Sequence, residues 1–471
     1  MKKILSLLMI AAIVLSLCGC AASGGESAGK QDGGFRIGYA RENITPEDPV
    51  PLGGYGNSTK RMSTGYLDYL YVTCVAITDA QDNTIMLISQ DVIRSDQYKA
   101  VRAEVKKATG LSEGDIMVAS THTHSSPETK SKSSGTSAWD ALYKAAIGKA
   151  AAAAMEDRSP AEISVGKKVV EDMNFVRHYL MSDGSYAGSN FGTFANLTIV
   201  DHSEPNDPGL QVIRFTRVAE DKQDIIMCNW QAHPCFTGGS TETVISADFI
   251  GSTRTYVEEQ TGELFVYFTG AAGNQNAVSK IEGEAPTRDW LQYGQELGDH
   301  IIDVLGNMTS VASGDIHNEE YFFDAKVNHQ WENNIEQARE VVALFNATDR
   351  TTGNKLAREY GFNSVYHCNG VISRASFGET YGFEINVLTM GELSFVFAPY
   401  EMFSTHSNYI KENTPYDMTF IVTCANGANG YIPSKLAHEY GCYERDIGRY
   451  TAETGLELAE KYVSILTEHK G

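Results

Sequence analysis

The sequence predicts a single mixed α/β domain, with β-sheets flanked by helices, over residues 35–471. Three observations point to it. Short apolar, β-branched runs alternate along the chain with segments of helical period. After Phe35 no long Pro/Gly-rich linker, low-complexity tract or repeat of fixed period interrupts the chain. The composition is that of a globular protein, with 42% hydrophobic and 21% charged residues in 471, which argues against wholesale disorder.

Taken in chain order, residues 1–19 read as a targeting segment. Lys2 and Lys3 precede the apolar run Ile4–Leu17. That run falls short of the roughly 20 residues that span a bilayer and suits the core of a signal peptide. Leu17-Cys18-Gly19-Cys20 has the order of a bacterial lipobox: an aliphatic residue, a small residue, then the cysteine that takes the lipid. Cys20 is the expected lipidation site, because Gly19 precedes it while the bulky Leu17 precedes Cys18. The alternative is an ordinary cleaved signal with incidental cysteines. Residues 20–34 form a Gly/Ser/Ala-rich tether. The expectation is an exported protein, lipid-anchored to the outer face of the cell membrane or the periplasmic side of the envelope.

Strands are predicted at Tyr71–Ile77, Thr84–Ser89, Asp115–Ser120, Ile225–Trp230, Leu264–Thr269, Leu393–Ala398 and Thr419–Thr423, where apolar and β-branched residues cluster. Helices are predicted at Asp96–Thr109, Ser137–Met155, Ile250–Gln260, Trp290–Met308, Trp331–Phe345 and Ala452–Leu466. The last places Leu456, Ala459, Val463 and Leu466 on one face, as a packed terminal helix does. Formal net charge is −22, and removal of Lys2 and Lys3 with the targeting segment makes it −24. So acidic a body repels nucleic acid and anionic headgroups; neutral, zwitterionic or cationic substrates fit better. Six cysteines follow the tether, at 74, 228, 235, 368, 424 and 442, with no CxxC pair. That spacing argues against a cysteine–zinc module, and any disulfide pairing stays open.

Several predicted strands end in residues capable of chemistry, and in open α/β sheets the carboxyl ends of strands are where ligands collect. Ser120-Thr121-His122-Thr123-His124-Ser125 follows a buried strand; in extended chain, residues two apart face one side, so both imidazoles converge. Asn229-Trp230-Gln231-Ala232-His233-Pro234 repeats the theme, with a structural, hydrogen-bonded histidine as the alternative. Asp248 stands at a helix start, as an N-cap or as support for a metal ligand. Thr269-Gly270-Ala271-Ala272-Gly273-Asn274-Gln275-Asn276 lets backbone amides approach a ligand and is not a Walker loop. Glu401 ends the strand from Leu393, and Tyr431 lies beyond the strand from Thr419; alone, they read first as a helix-start acid and a half-buried tyrosine.

In this order, together with Gly38-Tyr39-Ala40-Arg41-Glu42-Asn43-Ile44-Thr45-Pro46 and Leu52-Gly53-Gly54-Tyr55, these blocks resemble the neutral/alkaline non-lysosomal ceramidase family over roughly residues 35–450. The resemblance implies one Zn2+ held by His122, His233, Glu401 and Tyr431. It implies His124 as a proton-handling or substrate-orienting residue and Arg177, in Asn174-Phe175-Val176-Arg177, as the active-site arginine. Arg177 or Tyr431 would stabilise the oxyanion and His124 would protonate the leaving amine. Two departures stand out. Asn276 occupies the place of the family's active-site serine, and the chain is expected to lack the family's C-terminal β-sandwich. The implied activity is zinc-dependent hydrolysis of a carbon–nitrogen amide bond in an N-acyl lipid or another small molecule. The other readings are a non-catalytic surface lipoprotein that keeps the fold as a binding module, and a zinc hydrolase of a small polar substrate. An apolar groove beside His122 favours lipid; a polar pocket favours the last.

Overall fold

The computed structural model describes residues 34–55, 61–129, 137–188, 197–312 and 314–471. The expected signal segment, Cys20 and nearly all of the tether lie outside these residues.

Strict alternation of side chains in the first strands builds the layers. In Phe35–Asn43, Phe35, Ile37 and Tyr39 face one core. In Tyr71–Thr78, Val75 and Ile77 join that core while Cys74 and Ala76 point the other way; period-two alternation in a strand puts neighbours on opposite faces. A nine-stranded sheet results. Its order is Leu264–Thr269, Ile225–Trp230, Gly209–Arg217, Ser159–Val169, Phe35–Asn43, Tyr71–Thr78, Thr84–Gln90, Ile116–Ser120, with Thr309–Val311 on Ser159–Val169. A four-stranded sheet, Ile316–Lys326, Thr380–Met390, Leu393–Phe397 and Met418–Val422, packs Leu388, Phe395 and Phe420 against its inner face.

Helices cover the outer faces. Tyr98–Thr109 and Ser137–Glu156 supply Val101, Trp139 and Tyr143 to one outer core; Phe249–Thr261 and Trp290–Leu305 supply Phe249, Tyr293 and Leu297 to another. Thr454–Lys470 covers the smaller sheet with Leu458, Tyr462 and Leu466. The layers thus run helix, sheet, sheet, helix, the mixed α/β architecture expected.

All seven predicted strands are present. The helix expected from Trp331 begins at Ile335, because Trp331 adopts φ 74° and a single 3-10 turn intervenes. Leu456, expected on the buried face of the last helix, is 47% exposed; it lies two residues, about 200° of helical turn, from the contacting Leu458. No cysteine among the described residues is in a disulfide.

The two sheets bring their parallel strand ends together. Ile116–Ser120 runs parallel to Thr84–Gln90, Ile225–Trp230 to Leu264–Thr269, and Leu393–Phe397 to Met418–Val422. Backbone bonds then stitch the ends: Ser120 N to Cys424 O (3.1 Å), Asn426 N to Val118 O (2.8 Å) and Thr423 N to Thr269 O (2.9 Å). Five predicted strand ends therefore share one place.

Candidate functional site

His122 lies just past Ile116–Ser120, in left-handed backbone at φ 68° rather than in extended chain. Its amide donates to Val92 O (3.1 Å) and its Nδ1 to Ile93 O (2.6 Å). His233 follows Ile225–Trp230, and its Nδ1 donates to Ala272 O (2.7 Å). With each Nδ1–H committed to a carbonyl, each neutral ring presents a bare lone pair at Nε2.

Those lone pairs face one another. His122 Nε2 is 3.2 Å from His233 Nε2, and Glu401 Oε2 is 3.2 Å from the first and 3.6 Å from the second. Glu401 Oε2 is buried without a hydrogen bond of its own. Three acceptors packed this closely repel unless a positive charge sits among them. Zinc bonds of about 2.0–2.1 Å at tetrahedral angles hold ligand atoms roughly 3.3–3.4 Å apart, so the donor set and its spacing fit that ion. Electrostatics tell the same story. Burial opposes charge on His122, yet Cys424 and Glu401 outweigh it and hold its pKa well above the ordinary imidazole value. Glu401 is lowered despite burial, by His122, Tyr431 and Arg177. The cluster attracts one positive charge, a proton or a cation.

Glu401 arrives by a separate device. Residues Glu401–Met402 and Tyr431–Ile432 form a two-residue parallel ladder in which Glu401 pairs with Tyr431. The Gly270–Asn276 loop holds this ladder in place. A Cβ on Gly273 would lie 2.7 Å from both Glu401 O and Met402 O, so only glycine allows this approach. Its amide donates to Met402 O (2.9 Å), while Ala272 O anchors His233. Expected to offer its amides to a ligand, the loop spends them on scaffolding. Tyr431 donates a hydrogen bond to Glu401, and burial followed by the Glu401 charge keeps its phenol protonated.

His124 completes the histidine group. Candidate ligand nitrogens of His122, His124 and His233 all lie within 4.8 Å of one another. Convergence was expected from alternation in extended chain; the positive φ at His122 produces it instead. Neither His124 ring nitrogen has a hydrogen-bond partner among the described residues, and Tyr55 packs edge-on at 4.9 Å. Burial first, then the charges of His122, Arg177 and Arg94, push its pKa well below the usual value. Burial and Arg177 do the same to His233. Both favour the neutral form, the form that binds metal or accepts a proton.

Arg177 is buried behind this group. Its Nη2 and Nε lie 2.6 Å and 2.9 Å from Glu444 Oε1, its Nη1 is 3.4 Å from Asn276 Oδ1, and its guanidinium covers the Tyr431 ring at 5.7 Å. Neither Arg177 nor Asn276 lines the cavity of about 390 Å³ in front of the cluster. That cavity is bordered by His122, His124, Glu401 and Tyr431, and also by Arg94 and Glu128, which pair at 2.7 Å. Asp248 is an N-cap for Phe249–Thr261 and also binds Thr237. The sequence reading missed Glu444, Arg94 and Glu128, which stand in no recognisable spacing. His178, adjacent to Arg177 and paired with Glu444 at 2.9 Å, had only that adjacency to mark it.

The fold is similar to that of neutral ceramidase from Pseudomonas aeruginosa, with a TM-score of 0.67 at 15% identity over 92% of this chain and 74% of that one. A ceramidase complexed with C2 aligns equally, with a TM-score of 0.67 at 15% identity over 93% and 76%. At this identity the likeness is one of fold. No protein-family model and no curated protein sequence matches the chain.

Proposed function

We propose that the protein is a zinc-dependent hydrolase of carbon–nitrogen amide bonds, held at a membrane surface through Cys20. One observation carries the reading: the Nε2 atoms of His122 and His233 and Oε2 of Glu401 converge to 3.2–3.6 Å, while each imidazole Nδ1 is committed to a backbone carbonyl. The fold shared with neutral ceramidases supports it. A pure binding module has no use for so unfavourable an arrangement of lone pairs.

His122, His233 and Glu401 would hold the ion, with Tyr431 beside them. Zinc in such a site supplies Lewis acidity toward an amide carbonyl and toward water. The chain's own groups do the rest. His124, neutral and unpartnered, takes a proton and returns it to the leaving nitrogen. Tyr431, kept protonated, presents its O–H to the charge that develops on the carbonyl oxygen. Arg177, paired with Glu444 and Asn276, positions Tyr431 and lowers Glu401 through its charge, so Asn276 acts as a support for Arg177.

The test is amine release from a panel of N-acyl lipids and N-acyl amino acids. Turnover lost on chelation and restored by zinc is expected. No turnover of any amide with zinc bound at one per chain would overturn the reading in favour of a binding module. Release of a Cys20→Ser protein from membranes tests the anchor, and unchanged retention would contradict it.

A further inference from the structure

A second cavity, of about 690 Å³, adjoins the one in front of His122, and the two share Asp96, Gly427 and Ala428. Its outer part is bordered by Asp140, Phe322 and Tyr381. Phe322 is 63% exposed. Its ring lies across Gly382, where an added Cβ would meet Cζ at 2.2 Å. One face of the ring is thus seated on the sheet, and the ring sits at the border of the groove. The carboxylates of Asp96 and Asp140 also border the groove, the first of them held by a hydrogen bond from Thr129. Further in, Arg94 pairs with Glu128 at 2.7 Å where the first cavity begins.

This combination selects a ligand class. An alkyl chain laid here would leave carboxylate oxygens dehydrated and unpaired, which is unfavourable. Hydroxyl groups would donate to Asp96 and Asp140, and the C–H face of a sugar ring packs on an aromatic face. The acidic body disfavours polyanions.

We propose that this groove binds a carbohydrate chain. Resting on the hydrolase reading, the amide cleaved is then the N-acyl group of an amino-sugar unit placed before His122 and Glu401, with neighbouring sugars running toward Phe322. Water supplies the oxygen of the new C–O bond as the C–N bond breaks. Its proton passes to the nitrogen, so the products are a carboxylic acid and a free amino sugar.

The experiment uses the full exported chain with N-acetylglucosamine and its short β-linked oligomers. Binding to zinc-free protein is measured by calorimetry, and amine release by zinc-loaded protein. Affinity should rise with oligomer length. Phe322→Ala should weaken the longest oligomer about tenfold and leave the monomer unchanged, while Phe322→Tyr, which keeps a ring, retains binding. Affinity independent of length, or untouched by Phe322→Ala, overturns the groove. Oligomer binding without amine release from any amide would remove the hydrolase reading and keep the groove. Turnover of N-acyl lipids or N-acyl amino acids without oligomer binding would do the reverse.

Discussion

Two buried clusters of histidine and carboxylate stand close together in this protein, and they are opposites. In His122–His233–Glu401, two imidazole nitrogens and a carboxylate oxygen meet 3.2–3.6 Å apart and draw in a positive charge. In His178–Glu444–Cys442, every strong group is matched. Glu444 accepts from Arg177 and His178, and His178 Nδ1 is 2.7 Å from the Tyr440 hydroxyl. The Cys442 thiol, raised by burial and then by Glu444, keeps its proton and serves as a helix cap. By residue type both could hold a metal. Counting donors against acceptors separates them: one cluster lacks a positive charge, the other contains its own.

Ligand removal gives the sharpest contrast. His233→Ala should abolish zinc binding and turnover, whereas His178→Ala should keep about one zinc per chain; metal analysis of the two purified variants checks this. Equal loss in both would break the comparison. Next, His124→Gln should keep the metal and lower kcat by about 10²–10⁴-fold, the range for a lost general acid–base. Metal lost with activity would make His124 a ligand instead.

The smallest expected effect belongs to the self-sufficient cluster. Glu444→Gln leaves Arg177 buried without its counterion, a loss of about 3–5 kcal/mol in unfolding free energy, with zinc content unchanged. Glu444 is held below its ordinary pKa of 4.5 because His178 and Arg177 outweigh burial. A depressed carboxyl stabilises fully above that ordinary value and loses its contribution as pH falls from there through the folded value. Wild-type stability should therefore fall below about pH 4.5, and Glu444→Gln should flatten that segment of the acid denaturation curve. An unaltered curve would remove Glu444 from the account.

Much of the candidate cluster was legible in the sequence because its residues follow strand ends. His122, His233 and Glu401 each close an apolar run, and apolar runs show plainly. Other parts did not show. Ser159–Val169 carries Pro160, Glu162, Lys167 and Lys168, and Thr380–Met390 opens with exposed residues. Their strand character comes from pairing with neighbours, which no local pattern reports. The positive φ of His122 is equally invisible, since it is imposed by Val92 and Ile93 from another strand end. Arg177 was found, but its role as a support rather than a wall of the cavity depends on Glu444, far along the chain.

Zinc K-edge X-ray absorption on the zinc-loaded protein tests the central claim most directly. The account predicts nitrogen and oxygen neighbours at about 2.0–2.2 Å, with two imidazoles and no sulfur. A sulfur neighbour at about 2.3 Å would make a cysteine one of the ligands in place of the nitrogen and oxygen set, and would contradict it.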